Sequence, residues 1–150
     1  MIVMIINLLY IYIYIYMSNR PKVGVSVILK CKDKVLVGKR KGSHGDGTWA
    51  FPGGHLEFGE TIFECGKREL EEETNIKLGN LKGQNIGFTN DIFFKEMKHY
   101  ITLYALFKVD KELNAKIMEP NKCYEWIWVN ENKIPKPHFI PLQNYLNNIK

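Results

Sequence analysis

The spacing of hydrophobic positions changes several times along the 150-residue chain, and each change marks an element. Residues 23–29 (VGVSVIL) are β-branched and largely apolar, Lys32-Asp33-Lys34 is a polar turn, and residues 35–40 (VLVGKR) resume the same character. This pattern predicts a hairpin. Residues 41–48 (KGSHGDGT) hold three glycines and read as a mobile loop, after which Trp49-Ala50-Phe51 forms a short strand ended by Pro52-Gly53-Gly54. In residues 61–74, Ile62, Phe63, Gly66 and Leu70 recur near helical spacing among charged residues, predicting an amphipathic helix. Further strands are expected at 84–89, 100–109 and 124–129, and a closing helix at 141–149. The result is a strand-rich chain with one central and one terminal helix and no internal repeat.

The first 17 residues stand apart. MIVMIINLLYIYIYIYM is uncharged and carries Tyr10, Tyr12, Tyr14 and Tyr16, so the 21 basic and 16 acidic side chains, and the net charge of +5, belong to the following 133 residues. That length suits one domain. Alternating Ile and Tyr from Tyr10 to Tyr16 is strand-like and of low complexity. The segment lacks the basic start and small-residue cleavage site of a secretory signal and is short for a membrane span. Three readings stay open: a tail that is disordered or untranslated, with Met17 and the polar run Ser18-Asn19-Arg20-Pro21 marking the start; an anchor; or a structural strand.

Charged residues make up 25% and hydrophobic ones 45% of the chain, which excludes disordered and polytopic membrane classes. Cys31, Cys65 and Cys123 form no CxxC pair, so they are expected as buried small hydrophobes in a reducing, cytoplasmic setting. His44, His55, His99 and His138 show no metal-ligand spacing. A pI near 9.0 permits polyanionic partners, but the longest basic run is Lys39-Arg40-Lys41, and no stable nucleic-acid partner is expected.

Chemistry concentrates in residues 53–76 (GGHLEFGETIFECGKRELEEETNI). At 100° per residue, Glu73 lies about 40° from Glu69 and Glu72 about 60° to the other side, so three carboxylates share one face. Acids at a helix C-terminus oppose the macrodipole and one another. Hard divalent cations, Mg²⁺ or Mn²⁺, are the natural counter-charge, and they keep coordination positions for water and phosphate. An acidic run alone is more often a solvated helix face. Spacing tips the balance: Gly54 is followed by five residues and Glu60, then by seven and Arg68-Glu69-Leu70-Glu71-Glu72-Glu73-Thr74-Asn75-Ile76. This segment resembles the signature of the Nudix hydrolases, GX5EX7REUXEEXGU, with U a bulky aliphatic residue. The one departure is Asn75 in place of glycine just past the helix, where a left-handed backbone is wanted and Asn is the next most tolerant residue.

The resemblance covers roughly residues 21–146. Residues 35–40, 51–60 and Glu119-Pro120-Asn121-Lys122-Cys123 are similar to the MutT-like branch, and within it to enzymes that hydrolyse thiopurine and oxidised-dGTP nucleotides. It implies an α+β fold, the Nudix α/β/α sandwich with a mixed sheet. It further implies that Glu69, Glu73 and the Gly53 carbonyl bind metal and that Glu72 binds a further metal or activates water. Arg68 is expected to orient Glu60 or Glu72 and to point off the 69/73 face, and Glu60 either to cap and brace the loop-helix junction or to touch metal. Gly53 and Gly54 allow close approach of backbone to phosphate, Arg40 contacts phosphate, and His55, Thr102, Phe139 and Leu142 line the base pocket. Where the relatives have a Phe-Trp pair this chain has Phe139-Ile140, so one stacking ring is missing. Tyr124 replaces an acid of the relatives, and strand alternation turns Glu125 to the opposite face.

The implied activity is Mg²⁺-dependent cleavage of a nucleoside triphosphate to the monophosphate and pyrophosphate, with oxidised dGTP as one substrate. Another organic pyrophosphate (a pterin triphosphate, a prenyl diphosphate or capped RNA) and a non-catalytic nucleotide- or RNA-binding module are the alternatives. A homodimer is left open, and a membrane role rests only on residues 1–17.

Overall fold

A computed structural model describes residues 1–18, 20–42 and 44–149; Asn19 of the polar run and Ser43 of the glycine-rich loop lie outside the described residues. The order is α1 (Ile2–Ser18), β1 (Lys22–Cys31), β2 (Lys34–Arg40), β3 (Trp49–Ala50), β4 (Gly53–His55), α2 (Ile62–Thr74), β5 (Gln84–Phe93), β6 (Lys98–Lys108), β7 (Cys123–Asn130), a 3-10 turn at Glu131–Lys133, and α3 (Ile140–Asn148).

β1 pairs in parallel with β6 over its whole length, Lys22 opposite Tyr100 through Lys30 opposite Lys108. Its other edge is shared, since Gly24–Ser26 pair antiparallel with β4, and only Lys30 and Cys31 pair with β2. β5 lies antiparallel to β6, and β7 to β2, giving a mixed sheet of seven strands. Alternation along the strands divides the core in two. Val25, Val27, Leu29, Ala105 and Phe107 pack against Cys65 and Leu70 of α2 on one face; Ile28, Val35, Val37 and Tyr104 pack against Leu142 and Tyr145 of α3 on the other. This is the expected α/β/α sandwich.

Helix α2 begins in a reciprocal cap. The Thr61 hydroxyl accepts from the Glu64 N–H at 3.2 Å, and the Glu64 carboxylate accepts from the Thr61 N–H at 2.8 Å. Thr61, not Glu60, therefore caps the helix. At the other end Asn75 adopts φ 61° and donates its N–H to the Glu71 carbonyl, the left-handed stop that its place in the signature demands. The N–H groups of Lys116 and Met118 reach the Thr74 and Glu73 carbonyls at 2.9 and 3.2 Å, so a later segment of chain satisfies the exposed helix end.

Of the three readings of the first 17 residues, the strand does not form: residues 2–18 are helical, and residues 1–13 are exposed. An alternating segment without a partner strand has no ladder to satisfy its N–H and C=O groups, whereas a helix satisfies them locally. Among the described residues, no helix is long and apolar enough to cross a membrane. In and beside the glycine-rich loop, Arg40 N–H bonds the Thr48 carbonyl at 2.8 Å, Gly47 N–H bonds the Arg40 carbonyl at 2.8 Å, and His44 packs on Phe93 and Phe139. Gly45, at φ 75°, lies so close to Phe139 that a Cβ would stand 2.7 Å from the ring. Strands β5 and β6 also run longer than predicted and form a hairpin over 94–97, while β4 has too few residues to show a period.

Candidate active site

A cavity of about 650 Å³ opens between the C-terminal half of α2, the glycine turn of β4 and the N-terminus of α3. It is lined by all of the predicted site residues, Arg40, Gly53, Gly54, His55, Arg68, Glu69, Glu72, Glu73, Thr102, Phe139 and Leu142. β1 leaves room for it, because Gly24 and Ser26 are small where the cavity lies and bulk resumes at Ile28.

At the acidic end, Glu73 accepts the Gly53 N–H at 3.0 Å through Oε2. Burial pushes its carboxyl up to about 8 despite that bond, and nearby Glu69 and Glu119 push the same way. Burial also raises Glu69, outweighing the pull of Arg68. A Cβ on Gly54 would stand 2.2 Å from the Glu69 carboxyl carbon, so only glycine lets this carboxylate lie on the turn. Glu72 is half exposed at the rim, its Oε2 3.5 Å from the Arg68 guanidinium.

Arg68 holds this end together. Its Nε and NH2 groups donate to the two Glu60 oxygens at 2.6 and 2.9 Å, and NH1 donates to Glu69 Oε1 at 2.6 Å. The expectation that Arg68 points off the 69/73 face is thus corrected, because its long side chain bends back to reach Glu69. NH2 also donates to the His55 carbonyl at 3.1 Å, tying the helix to β4. The Glu57 N–H adds a further donor to Glu60, and these contacts hold the Glu60 carboxyl down at about 2, Arg68 contributing most. Glu60 braces the junction as expected.

Among the described residues no group of three His, Cys, Asp or Glu side chains converges on one point. Glu69 and Glu73 nevertheless fit a hard divalent cation. Both are raised by burial, the donors are oxygens only, and the Gly54 turn leaves the Glu69 carboxylate space that a side chain would fill. Backbone carbonyl, water and phosphate oxygens would complete such a shell.

The other end is aromatic and polar. Trp49 N–H bonds the Pro137 carbonyl and Phe139 N–H bonds the Trp49 carbonyl, both at 2.9 Å, which sets the Phe139 ring 4.1 Å from the Arg40 guanidinium carbon. Arg40 Nε donates to the His44 carbonyl at 3.0 Å, and burial lowers the guanidinium below its ordinary value. Phe93 packs against Phe139 with ring centroids 5.3 Å apart, and Tyr100 meets Phe93 at 6.0 Å. The absence of a ring at Ile140 is therefore offset from elsewhere: Phe93 and Tyr100 of the sheet and His44 of the 41–48 loop line the cavity, and Ile140 does not. None of the three was assigned to the pocket from sequence; Phe93 and Tyr100 had only the period-two pattern of β5 and β6 as a signal, and His44 was one of four scattered histidines. Glu119 also lines the cavity, paired with Lys122 at 2.6 Å, whereas Glu125 does not. His55 Nε2 lies 3.1 Å from the Tyr100 hydroxyl.

Residues 19–148 match the family model described as NUDIX domain. The chain belongs to the Nudix hydrolase family. A relative from Homo sapiens named m7GpppN-mRNA hydrolase NUDT17 is 30% identical over 122 residues, 71% of this Nudix chain and 37% of the relative. The chain spans about a third of the length of the first curated relatives it matches. Among solved structures, the MutT Nudix hydrolase from Burkholderia pseudomallei superposes with a TM-score of 0.73 at 23% identity, covering 83% of this chain and 98% of that one. A bifunctional NMN adenylyltransferase/ADP-ribose pyrophosphatase from Francisella tularensis, complexed with AMP and a Mn ion, gives 0.67 at 22% identity over 94% of this chain and 45% of its own. At such identities these two likenesses establish the Nudix fold, with MutT-like neighbours.

Proposed function

We propose that this Nudix hydrolase cleaves nucleoside triphosphates to the monophosphate and pyrophosphate with the help of Mg²⁺ or Mn²⁺, oxidised dGTP being one substrate. The observation that carries the reading is a single cavity with two chemically distinct ends, buried carboxylates over a glycine turn at one and aromatic rings with a polar floor at the other. Glu69, Glu73 and the Gly53 carbonyl would hold the cation. Bound there, it would offset phosphate charge and make a neighbouring water more acidic. Glu72, at the rim, would take up the proton of an attacking water, and Arg68 bonds Glu69 and Glu60, which would orient the carboxylates in advance. Arg40, its guanidinium carbon 4.1 Å from the Phe139 ring centre, lines the cavity and would bind phosphate oxygens. The base would rest among Phe139, Phe93, Leu142 and Thr102, with His55 at the entrance. Three free, buried cysteines support a reducing, cytoplasmic setting.

Capped RNA is the second reading, favoured by the human relative's name. A panel of nucleoside triphosphates, oxidised dGTP, ADP-ribose, a pterin triphosphate, a prenyl diphosphate and capped RNA, assayed for pyrophosphate and monophosphate with and without Mg²⁺, tests both. Pyrophosphate and monophosphate from the triphosphates support the first reading, and turnover of capped RNA alone supports the second. Inertness towards every substrate would leave a binding module, a reading that the intact Glu69, Glu72 and Glu73 oppose.

A further inference from the structure

Beneath the aromatic end of the cavity lies a carboxylate that none of these roles uses. Asp91, on β5, is fully buried and does not line the cavity. Three polar groups converge on it: Thr102 Oγ1 at 2.5 Å and Thr89 Oγ1 at 2.9 Å on Oδ2, the latter shared with the Tyr104 hydroxyl at 2.8 Å, and Asn144 Nδ2 at 2.8 Å on Oδ1. A carboxylate accepts only, and a threonine hydroxyl has one proton. The Thr102 proton is committed to Asp91, and what Thr102 offers the cavity is oxygen lone pairs. The Asn144 amide orientation is fixed by the same logic, since only its NH₂ can face the carboxylate. Thr102 is itself almost fully buried, and Leu142 and Phe139 of the same lining are apolar. A ligand acceptor pressed against it would face a second acceptor and forfeit a hydrogen bond.

We propose that Thr102 is a specificity-determining acceptor whose polarity is set by buried Asp91, so that the site selects nucleobases presenting an exocyclic amino group to it. Asp91 and Asn144 act through Thr102 and are positioning residues. Because α3 carries both Asn144 and Leu142, the polar anchor and the apolar wall are held by one element. The inference rests on the nucleotide reading above and narrows its substrate class.

The test compares kcat/KM for pairs differing by one amino group: GTP against ITP, and ATP against purine riboside triphosphate. The wild type is expected to favour the amino member of one pair by about tenfold, equivalent to about 1.4 kcal/mol. Thr102→Val should bring that ratio to about one, whereas Thr102→Ser, which keeps the hydroxyl, should preserve it. In Asp91→Leu no acceptor remains for the Thr102 proton, so Thr102 is free to turn it towards the cavity and the ratio should fall to one or below, whereas Asp91→Asn, which can keep its oxygen on the threonines and its NH₂ on a flipped Asn144, should preserve it. A ratio of one for both pairs in the wild type, or a wild-type ratio retained in folded Thr102→Val, overturns the proposal and leaves nucleotide hydrolysis standing. Turnover of no nucleoside triphosphate overturns both.

Discussion

Arg68 grips Glu60 through two prongs, Nε to Oε1 at 2.6 Å and NH2 to Oε2 at 2.9 Å, across the turn that leads into α2. The pair joins the glycine loop to α2, and its remaining guanidinium nitrogen holds Glu69. A planar fork meeting a planar carboxylate fixes orientation in a way a lysine would not.

Its pH dependence follows from the depressed Glu60 carboxyl. The folded protein holds Glu60 at about 2 against an ordinary value of 4.5, so the pair's contribution to stability is present above about pH 4.5 and is lost as pH falls through about 2. Glu60→Gln should lower Tm at pH 7 and converge with the wild type near pH 2. Thermal melts of both proteins from pH 2 to 7 check this, and a Tm difference independent of pH would contradict it.

Glu69→Gln and Glu73→Gln should each reduce kcat by at least roughly 100-fold while the fold survives, since each removes a charge from the cation site and almost no volume. Steady-state kinetics paired with thermal melts separates the two effects. Wild-type turnover in either variant would remove these residues from the chemistry.

Gly54→Ala places a methyl group where the Glu69 carboxylate lies. The carboxylate is the free end of a flexible side chain and can swing aside, so the expected result is a large loss of kcat with a small change in Tm. The same substitution at Gly53 would set its Cβ 2.1 Å from the Val25 carbonyl oxygen, which is backbone and cannot yield, and should lower Tm as well. Comparing the two melting curves with the two rates checks the distinction.

Activity should vanish in excess EDTA and return with Mg²⁺ or Mn²⁺, whereas Ca²⁺ should bind and support turnover poorly, because its larger, looser shell positions water less well. Rates measured in each metal, with binding followed by calorimetry, decide this. Full activity without divalent ions would contradict the proposed role of Glu69 and Glu73.

What the sequence determined by itself was local. The Gly54–Ile76 spacing was readable because a helix sets its faces by fixed angles, so Glu69, Glu72 and Glu73 had to share one side whatever packed around them. The Asn75 stop was readable for the same reason, since one residue's backbone preference decides it. The resemblance carried Arg40, His55, Thr102, Phe139 and Leu142, and the fold gathers all five on one cavity. Tertiary structure decided what depends on pairing between distant strands. Parallel register of β1 with β6 puts Thr102 opposite Gly24 and so opens the cavity floor, and no feature of either strand alone states that register. The β5–β6 hairpin supplies Phe93 and Tyr100 where the pair at Phe139-Ile140 lacks a ring, and it brings Asp91 under Thr102. Residues 1–17 show the converse: a period-two pattern predicts a strand only where a neighbour exists to complete the ladder, and with none the backbone satisfies itself as a helix.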